Sequence, residues 1–300
     1  MGIGGNAGEL KLTSPAQVRT VLAELDIQPR KEWGQNFLID ANIRNMIVEI
    51  AALGADDVVL EIGAGLGVLT EVMLVRAARV VAVEKDRRLA AHLAERFGWS
   101  PRLQLISGDF MDLDAATLLN QGISKVVGNL PYSVGSRMLV NLFFASTPPA
   151  QIVVTVQLEV AERLAAGPGD SPRGLLSVWA QLAYEVRVRK TVSATCFYPR
   201  PDVQSAIVQM TRRPAPVADL SDRGLYYDVT REAFRYRRKQ LTTILARAPG
   251  RLRRPADQAA GELQGLGIDP RSRPEDLTVE DWCRLAGRLA APGAAGEACA

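Results

Sequence analysis

The chain has 300 residues, 47% hydrophobic and 23% charged, enough to build a core; at about 100 to 200 residues per domain this implies about two domains. A disordered tail protein and a small disulfide-stapled scaffold are excluded. The net charge of +3 is uneven: residues 187–254 hold 16 Arg and Lys against five Asp and Glu, a surplus of +11 that leaves the rest at −8, a footprint shared by phosphate-backbone binding and a solvated basic face.

Apolar runs such as Val58 to Leu60 and Ile152 to Val156 fall far short of the roughly 20 residues that span a bilayer, and Met1 to Lys11 has no apolar signal core, so no membrane partner is expected. Cys196, Cys283 and Cys299 are odd in number and without CxxC spacing. Neither a disulfide framework nor a metal site is expected, and the setting reads as a reducing cytoplasm.

Residues 1–13 and 291–300 read as mobile ends. Ser14-Pro15-Ala16-Gln17 has the form of a capping box opening a helix that runs to about Asp26. After an irregular stretch from Gln28 to Leu38, Asp40 can cap a second helix with Ile43, Ile47 and Ile50 on its apolar face. Five short apolar runs then alternate with helical stretches, at Val58 to Ile62, Arg79 to Val83, Leu103 to Ile106, Lys125 to Val127 and Ile152 to Val156. That alternation predicts an α/β fold with a parallel sheet. Tyr184 to Arg189 and Ser205 to Met210 alternate apolar with polar residues and read as an added antiparallel pair, making seven strands. Past Arg213 strand signals stop, and helical stretches at 222–236, 238–247, 256–266 and 279–289 predict a small all-helical domain. The expected boundaries are 14–213 and 214–290.

Glu61-Ile62-Gly63-Ala64-Gly65-Leu66-Gly67 stands where the first of these strands meets a helix, and its glycines permit a tight turn with close ligand approach. Its GxGxG spacing is more compact than the pyrophosphate-binding GxGxxG and suits a cofactor without phosphate. Glu84, about 20 residues on, can accept both hydroxyls of a ribose, and Asp109 at the next strand end can accept from the amine of an adenine. Together these point to an adenosine-containing cofactor. Asn129-Leu130-Pro131-Tyr132 follows the fourth strand. An adenine amine is a poor nucleophile because its lone pair is delocalised into the ring. Acceptors on both N–H bonds, here the Asn129 side-chain oxygen and the Leu130 carbonyl, favour a tetrahedral nitrogen whose lone pair is aimed at an electrophile. Pro131 fixes the turn and Tyr132 offers a stacking face. His92, Trp33 and Trp179 read as helix-surface and packing residues.

These blocks resemble the ribosomal RNA adenine dimethyltransferase family, on its small-subunit 16S side. The resemblance covers about Pro29 to Leu289 and also runs through Gly34-Gln35-Asn36-Phe37-Leu38, Gln157 to Ala161, Phe197-Tyr198-Pro199-Arg200-Pro201, Arg237-Arg238-Lys239 and Gly267-Ile268-Asp269-Pro270. It implies a Rossmann-like class I methyltransferase domain with a C-terminal helical RNA-binding domain. It implies S-adenosylmethionine as methyl donor, held through Asn36, Leu38, Gly63, Gly65, Glu84, Asp109 and Asn129, with Asn129 to Tyr132 catalytic and Tyr132 and Phe197 at the target base. The expected substrate is 16S rRNA in an immature small ribosomal subunit, dimethylated at N6 of two adjacent adenosines in a loop near the 3′ end by a monomer. Arg235, Arg237, Arg238, Lys239 and Arg247 are the candidate RNA contacts. The chain departs from the family pattern at Ala64, Arg137, Leu158, Arg173, Thr242 and Thr243. Competing readings are a 23S rRNA adenine methyltransferase of the antibiotic-resistance type and an assembly factor whose catalysis is incidental.

Overall fold

The computed structural model describes residues 12–29, 33–215, 217 and 222–290. It divides into two compact units, residues 1–161 with 186–212, and residues 162–185 with 213–300.

In the first unit α1 (Pro15–Glu24), β1 (Phe37–Leu38) and α2 (Ala41–Ala51) precede the run β2 (Val58–Ile62), α3 (Val68–Arg76), β3 (Arg79–Glu84), α4 (Arg87–Phe97) and β4 (Leu103–Ser107). It continues through α5 (Ala115–Leu119), β5 (Lys125–Asn129), α6 (Gly135–Phe143), β6 (Gln151–Gln157) and α7 (Leu158–Ala165), the last crossing into the second unit. Beyond α8 (Leu175–Ala183) come β7 (Tyr184–Val192), β8 (Phe197–Tyr198) and β9 (Ser205–Arg212). The sheet has seven strands in the order β4-β3-β2-β5-β6-β9-β7. Strands β2 to β6 are parallel, and β9 runs antiparallel to β6. The Val- and Ile-rich strands pack against α2 and α3 in a core containing Ile47, Val59, Met73, Val80, Val127 and Val153, as expected of a parallel sheet covered on its faces.

Helix starts follow their caps. Asp40 accepts from the Asn42 and Ile43 N–H groups at 2.9 and 3.0 Å, and Asp86 accepts from Arg88 and Leu89. The first helix differs from expectation: Ser14 is its N-cap but makes no side-chain cap bond, and the Gln17 amide oxygen is buried without a partner among the described residues. Its first turn is closed by the Ser14 carbonyl, which accepts from Val18 N–H at 3.0 Å. The helix stops short of Asp26, which takes a left-handed φ of 50°. Leu12 belongs to no free end, since it is buried in a core cluster with Val18, Leu22 and Phe37; the other expected mobile residues except Thr13 lie outside the described set. The stretch read as irregular hides β1, which pairs antiparallel with β8 through Phe37–Tyr198 and Leu38–Phe197.

The second unit contains α9 (Arg223–Arg235), α10 (Leu241–Arg247), α11 (Ala256–Gly265) and α12 (Val279–Ala290). The expected boundary at 213 is crossed by one further piece, because 162–185 joins these helices. The reason is packing. Trp179 of α8 donates to Thr230 at 3.0 Å and stacks on Tyr227 with centroids 4.6 Å apart, and the Tyr226 hydroxyl donates to the Val178 carbonyl. Arg173 is fully buried, its guanidinium donating to the Ala166 and Leu277 carbonyls at 2.8 Å each. This departure from the family pattern is therefore a staple within the helical core. Among the described residues no helix is long and apolar enough to cross a membrane.

Candidate active site

The C-terminal ends of β2 to β5 and the segment leading into β1 enclose one cavity. All seven candidate cofactor residues line it: Asn36 and Leu38, Gly63 and Gly65 from the loop after β2, Glu84 at the end of β3, Asp109 after β4, and Asn129 at the end of β5. Gly63, Gly65 and Gly67 all have φ between 57 and 81°, a left-handed run that explains why this turn takes glycine at each alternate position. Gly34, at φ 64°, lies so close to the turn after β5 that a Cβ there would meet the Tyr132 and Ser133 nitrogens at 2.7 and 2.9 Å.

The polar wall is acidic. Glu84 is 5% exposed, and its two oxygens accept from Gly65 N–H at 2.8 Å and Asp86 N–H at 2.9 Å. Burial pushes its pKa up against those bonds. A carboxylate has about four acceptor positions, and the backbone bonds to Glu84 do not fill them all. Glu61, on β2, is a site residue to which the sequence motifs assign no role. It is buried on the cavity wall, accepts from the Thr70 hydroxyl at 2.6 Å, and is pushed up to about 8 by burial, with the nearby Glu84 charge adding to the shift. Nothing in its spacing distinguishes it from an ordinary strand acid; a carboxyl inside an apolar strand run is the one signal. Burial also raises Asp109, but hydrogen bonds from Lys85 (2.6 Å) and Met111 N–H (2.9 Å), with the charges of Lys85 and Arg137, hold it below the usual carboxylate range. The Lys85 ammonium lies 5.4 Å from the Trp33 ring centroid, and Trp33 lines the cavity. Trp33 is thus a cavity residue, whereas Trp179 packs inside the helical unit.

Asn129 Nδ2 donates to the Asn36 carbonyl at 2.7 Å, which fixes the orientation of the amide. Its Oδ1 is buried with no hydrogen-bond partner among the described residues. Leu130 is buried and its N–H donates to the Thr155 carbonyl at 3.1 Å, while the Pro131 carbonyl accepts from Gly135 N–H at 2.8 Å and so ties the turn to α6. Pro131 lines the cavity; Tyr132, half-buried, lies outside its lining and shares a hydrogen bond with the Ser205 hydroxyl. Phe197 departs from expectation. It is 2% exposed and packed in the core with Leu38 and Ile43, because its β8 pairing with Leu38 turns the ring inward, so it has no free face for a base.

The basic candidates lie in the helical unit. Arg238, Lys239 and Arg247 are exposed and pair with no carboxylate among the described residues. Arg235 is 70% exposed, with Glu232 at 3.9 Å. Arg237 differs: its guanidinium donates to Glu275 at 2.8 Å and the Ser171 carbonyl at 3.0 Å, so it ties down the turn after α9. Thr242 donates to the Pro270 carbonyl at 3.3 Å.

Residues 27–291 match the family model described as ribosomal RNA adenine dimethylase. The chain is 39% identical over 288 residues to ribosomal RNA small subunit methyltransferase A of Pelotomaculum thermopropionicum, covering 92% of this chain and 96% of the relative. It is 35% identical over 283 residues to the protein of the same name from Bacillus cereus, covering 93% and 97%. Among solved structures, a dimethyladenosine transferase from Plasmodium falciparum shares the fold at a TM-score of 0.72 and 24% identity, covering 83% of this chain and 95% of that one. The 23S rRNA methyltransferase ErmE follows at 0.64 and 26%, covering 85% and 99%. With a family match across nearly the whole chain and relatives of this identity at almost full coverage, the chain belongs to the ribosomal RNA adenine dimethylase family and is an rRNA adenine dimethyltransferase.

Proposed function

We propose that the chain uses S-adenosylmethionine to dimethylate N6 of two adjacent adenosines near the 3′ end of 16S rRNA, acting as a monomer on an immature small subunit in the cytoplasm. The observation that carries this reading is the buried, unpartnered Oδ1 of Asn129 at the cavity wall. A buried acceptor without a partner costs about 1 to 3 kcal/mol, and a donor on the ligand recovers it. In the first transfer the exocyclic amine of adenine supplies one N–H to Asn129 Oδ1 and one to the Leu130 carbonyl; in the second the monomethylated amine supplies its remaining N–H to one of the two, and each time the nitrogen gains a methyl it loses one proton to water. With the amide held by Asn36, Asn129 needs no reorganisation to do so, and positioning carries most of the rate.

The cavity suits the cofactor in its polar groups. Glu84 is a buried acceptor on the wall, the nearby Glu61 keeps its proton at neutral pH, and the Lys85 ammonium is already paired with Asp109. Leu38, Ile62, Val83 and Phe110 supply apolar surface. When bound, S-adenosylmethionine supplies an electrophilic methyl on its sulfonium. Glu84 accepts from the ribose hydroxyls, and a remaining lone pair of Asp109 accepts from the adenine amine. Arg235, Arg238, Lys239 and Arg247 meet RNA phosphates, and Arg237 serves as the anchor of their turn.

The 23S reading shares the fold, but the relatives of higher identity carry the small-subunit name. Incubation of the purified protein and cofactor with undermethylated small subunits, and separately with 23S rRNA, tests the choice. Mass spectrometry should find dimethyladenosine in 16S rRNA; the same mark in 23S rRNA alone would overturn the assignment.

A further inference from the structure

The aromatic rings of the helical unit are buried or pack on other rings, with one exception, whose ring contact is a cation. Trp179 stacks on Tyr227, Phe234 lies 6.0 Å from Trp282, and Tyr184 and Tyr226 are fully buried. Tyr236, in the turn between α9 and α10, is 45% exposed. Leaving an aromatic ring in water forgoes the gain of burial, and this ring sits among cations: Arg235 lies 5.6 Å from its centroid, and Arg238 and Lys239 follow it, exposed and without a carboxylate partner among the described residues.

The turn is also fixed. Tyr236 N–H donates to the Ala233 carbonyl at 3.0 Å, and Lys239 N–H returns to the Tyr236 carbonyl at 2.7 Å. Between them Arg237 is drawn off to Glu275 and Ser171. The backbone that carries the ring and the two cations is held before any ligand arrives, which lowers the entropy cost of binding.

We propose that Tyr236 is a stacking platform for an unpaired base of the RNA substrate, with Arg238 and Lys239 on the phosphates that flank that base. The inference rests on rRNA being the substrate and adds what the basic surface reads: a splayed-out base, in place of duplex backbone alone. An aromatic face accepts any base, whereas duplex RNA buries its bases in the stack and presents phosphates and 2′-hydroxyls. A purely electrostatic surface has no use for an exposed ring, and a protein partner would need acidic groups to meet this charge.

The test compares full-length wild type, Tyr236→Ala, Tyr236→Phe and the double variant Arg238→Glu with Lys239→Glu. Each is titrated over a range of salt against a hairpin with an unpaired loop taken from the 16S 3′ end and against a fully paired duplex of equal length. Tyr236→Ala should bind the hairpin about tenfold more weakly, with duplex affinity and salt slope unchanged, and Tyr236→Phe should match wild type. The double variant should weaken both RNAs and lower the slope by about one to two. Equal hairpin affinity in wild type and Tyr236→Ala, or equal losses on hairpin and duplex, would overturn the stacking proposal even where the wild type methylates 16S rRNA. A wild type that binds neither RNA would remove the substrate reading and this inference together. Should Tyr236→Ala fold poorly, Tyr236→Leu replaces it: a loss of hairpin affinity in Tyr236→Leu but not in Tyr236→Phe supports stacking, and equal affinity in the two overturns it.

Discussion

Two buried carboxylates define the chemistry of the cavity, and they differ in what they face. Glu84 lies 5% exposed on the cavity wall and accepts backbone N–H bonds on both oxygens, so Glu84→Ala should cost S-adenosylmethionine about 1.5 to 3 kcal/mol of binding, the scale of hydrogen bonds to a charged acceptor. Calorimetry on the folded variant checks this; unchanged affinity would remove Glu84 from the site. Glu61 is pushed up to about 8 from a usual 4.5, so the native state keeps a proton that the unfolded chain gives up. Its contribution to stability is fully present below about 4.5 and is lost as pH rises towards 8. Glu61→Gln should therefore flatten the pH dependence in that window, with the variant gaining on wild type by an amount on the order of a few kcal/mol between pH 5 and pH 8. Urea unfolding of the two proteins without cofactor measures it, and parallel curves would show that Glu61 ionises normally. Gly63, Gly65, Glu84, Asp109 and Asn129 are legible in the sequence because each stands at or just past the end of a strand, whereas Asn36 and Leu38 are reached only through the family resemblance. Glu61 and Trp33 are not legible, since burial and the Lys85 contact depend on what folds over them.

At the scale of elements, turns matter more than helices. Gly34 and the Asn129 to Tyr132 turn are pressed together across 95 residues of sequence, and a methyl on Gly34 has no room beside the Tyr132 and Ser133 nitrogens. Gly34→Ala should cost about 1 to 3 kcal/mol of stability and should also lower methyl transfer, because the displaced turn carries Asn129. A variant with native melting and full turnover would show that the turn is free to move. In the helical unit, Arg237→Ala should cost up to about 1 kcal/mol of stability, the range of a part-exposed pair, with the salt dependence of RNA binding unaltered. A lowered salt slope without a change in melting temperature would return Arg237 to the RNA surface. The strands can be read from their Val- and Ile-rich runs, and α2 and α4 from their aspartate caps. By contrast, α8 belongs to the helical unit because Trp179 finds Tyr227 and Thr230, and an apolar face in sequence does not name its partner. The pairing of β1 with β8 spans only two residues per strand, too few for an alternating pattern to register. Phe197 illustrates the same limit: it stands in a block shared with the family, which suggests a binding face, yet its pairing sends it into the core.

At the scale of the molecule, charge and chemistry are divided: the acidic cavity sits at the ends of parallel strands in one unit, where open α/β sheets bind their ligands, and the free cations of the turn after α9 sit in the other. The uneven charge distribution is visible in composition, but which cations are spent internally is not, as Arg173 and Arg237 demonstrate. The chemistry proposed for the cavity turns on Asn129 Oδ1, which holds the amine of the target adenine for attack. Single-turnover methyl transfer to undermethylated small subunits by Asn129→Ala, with cofactor and RNA affinities measured alongside, isolates that role. Transfer should slow by about a hundredfold or more, with RNA affinity close to that of wild type and the cofactor still bound at saturating concentration. A near wild-type rate of dimethyladenosine formation in that variant would contradict the role given to Asn129.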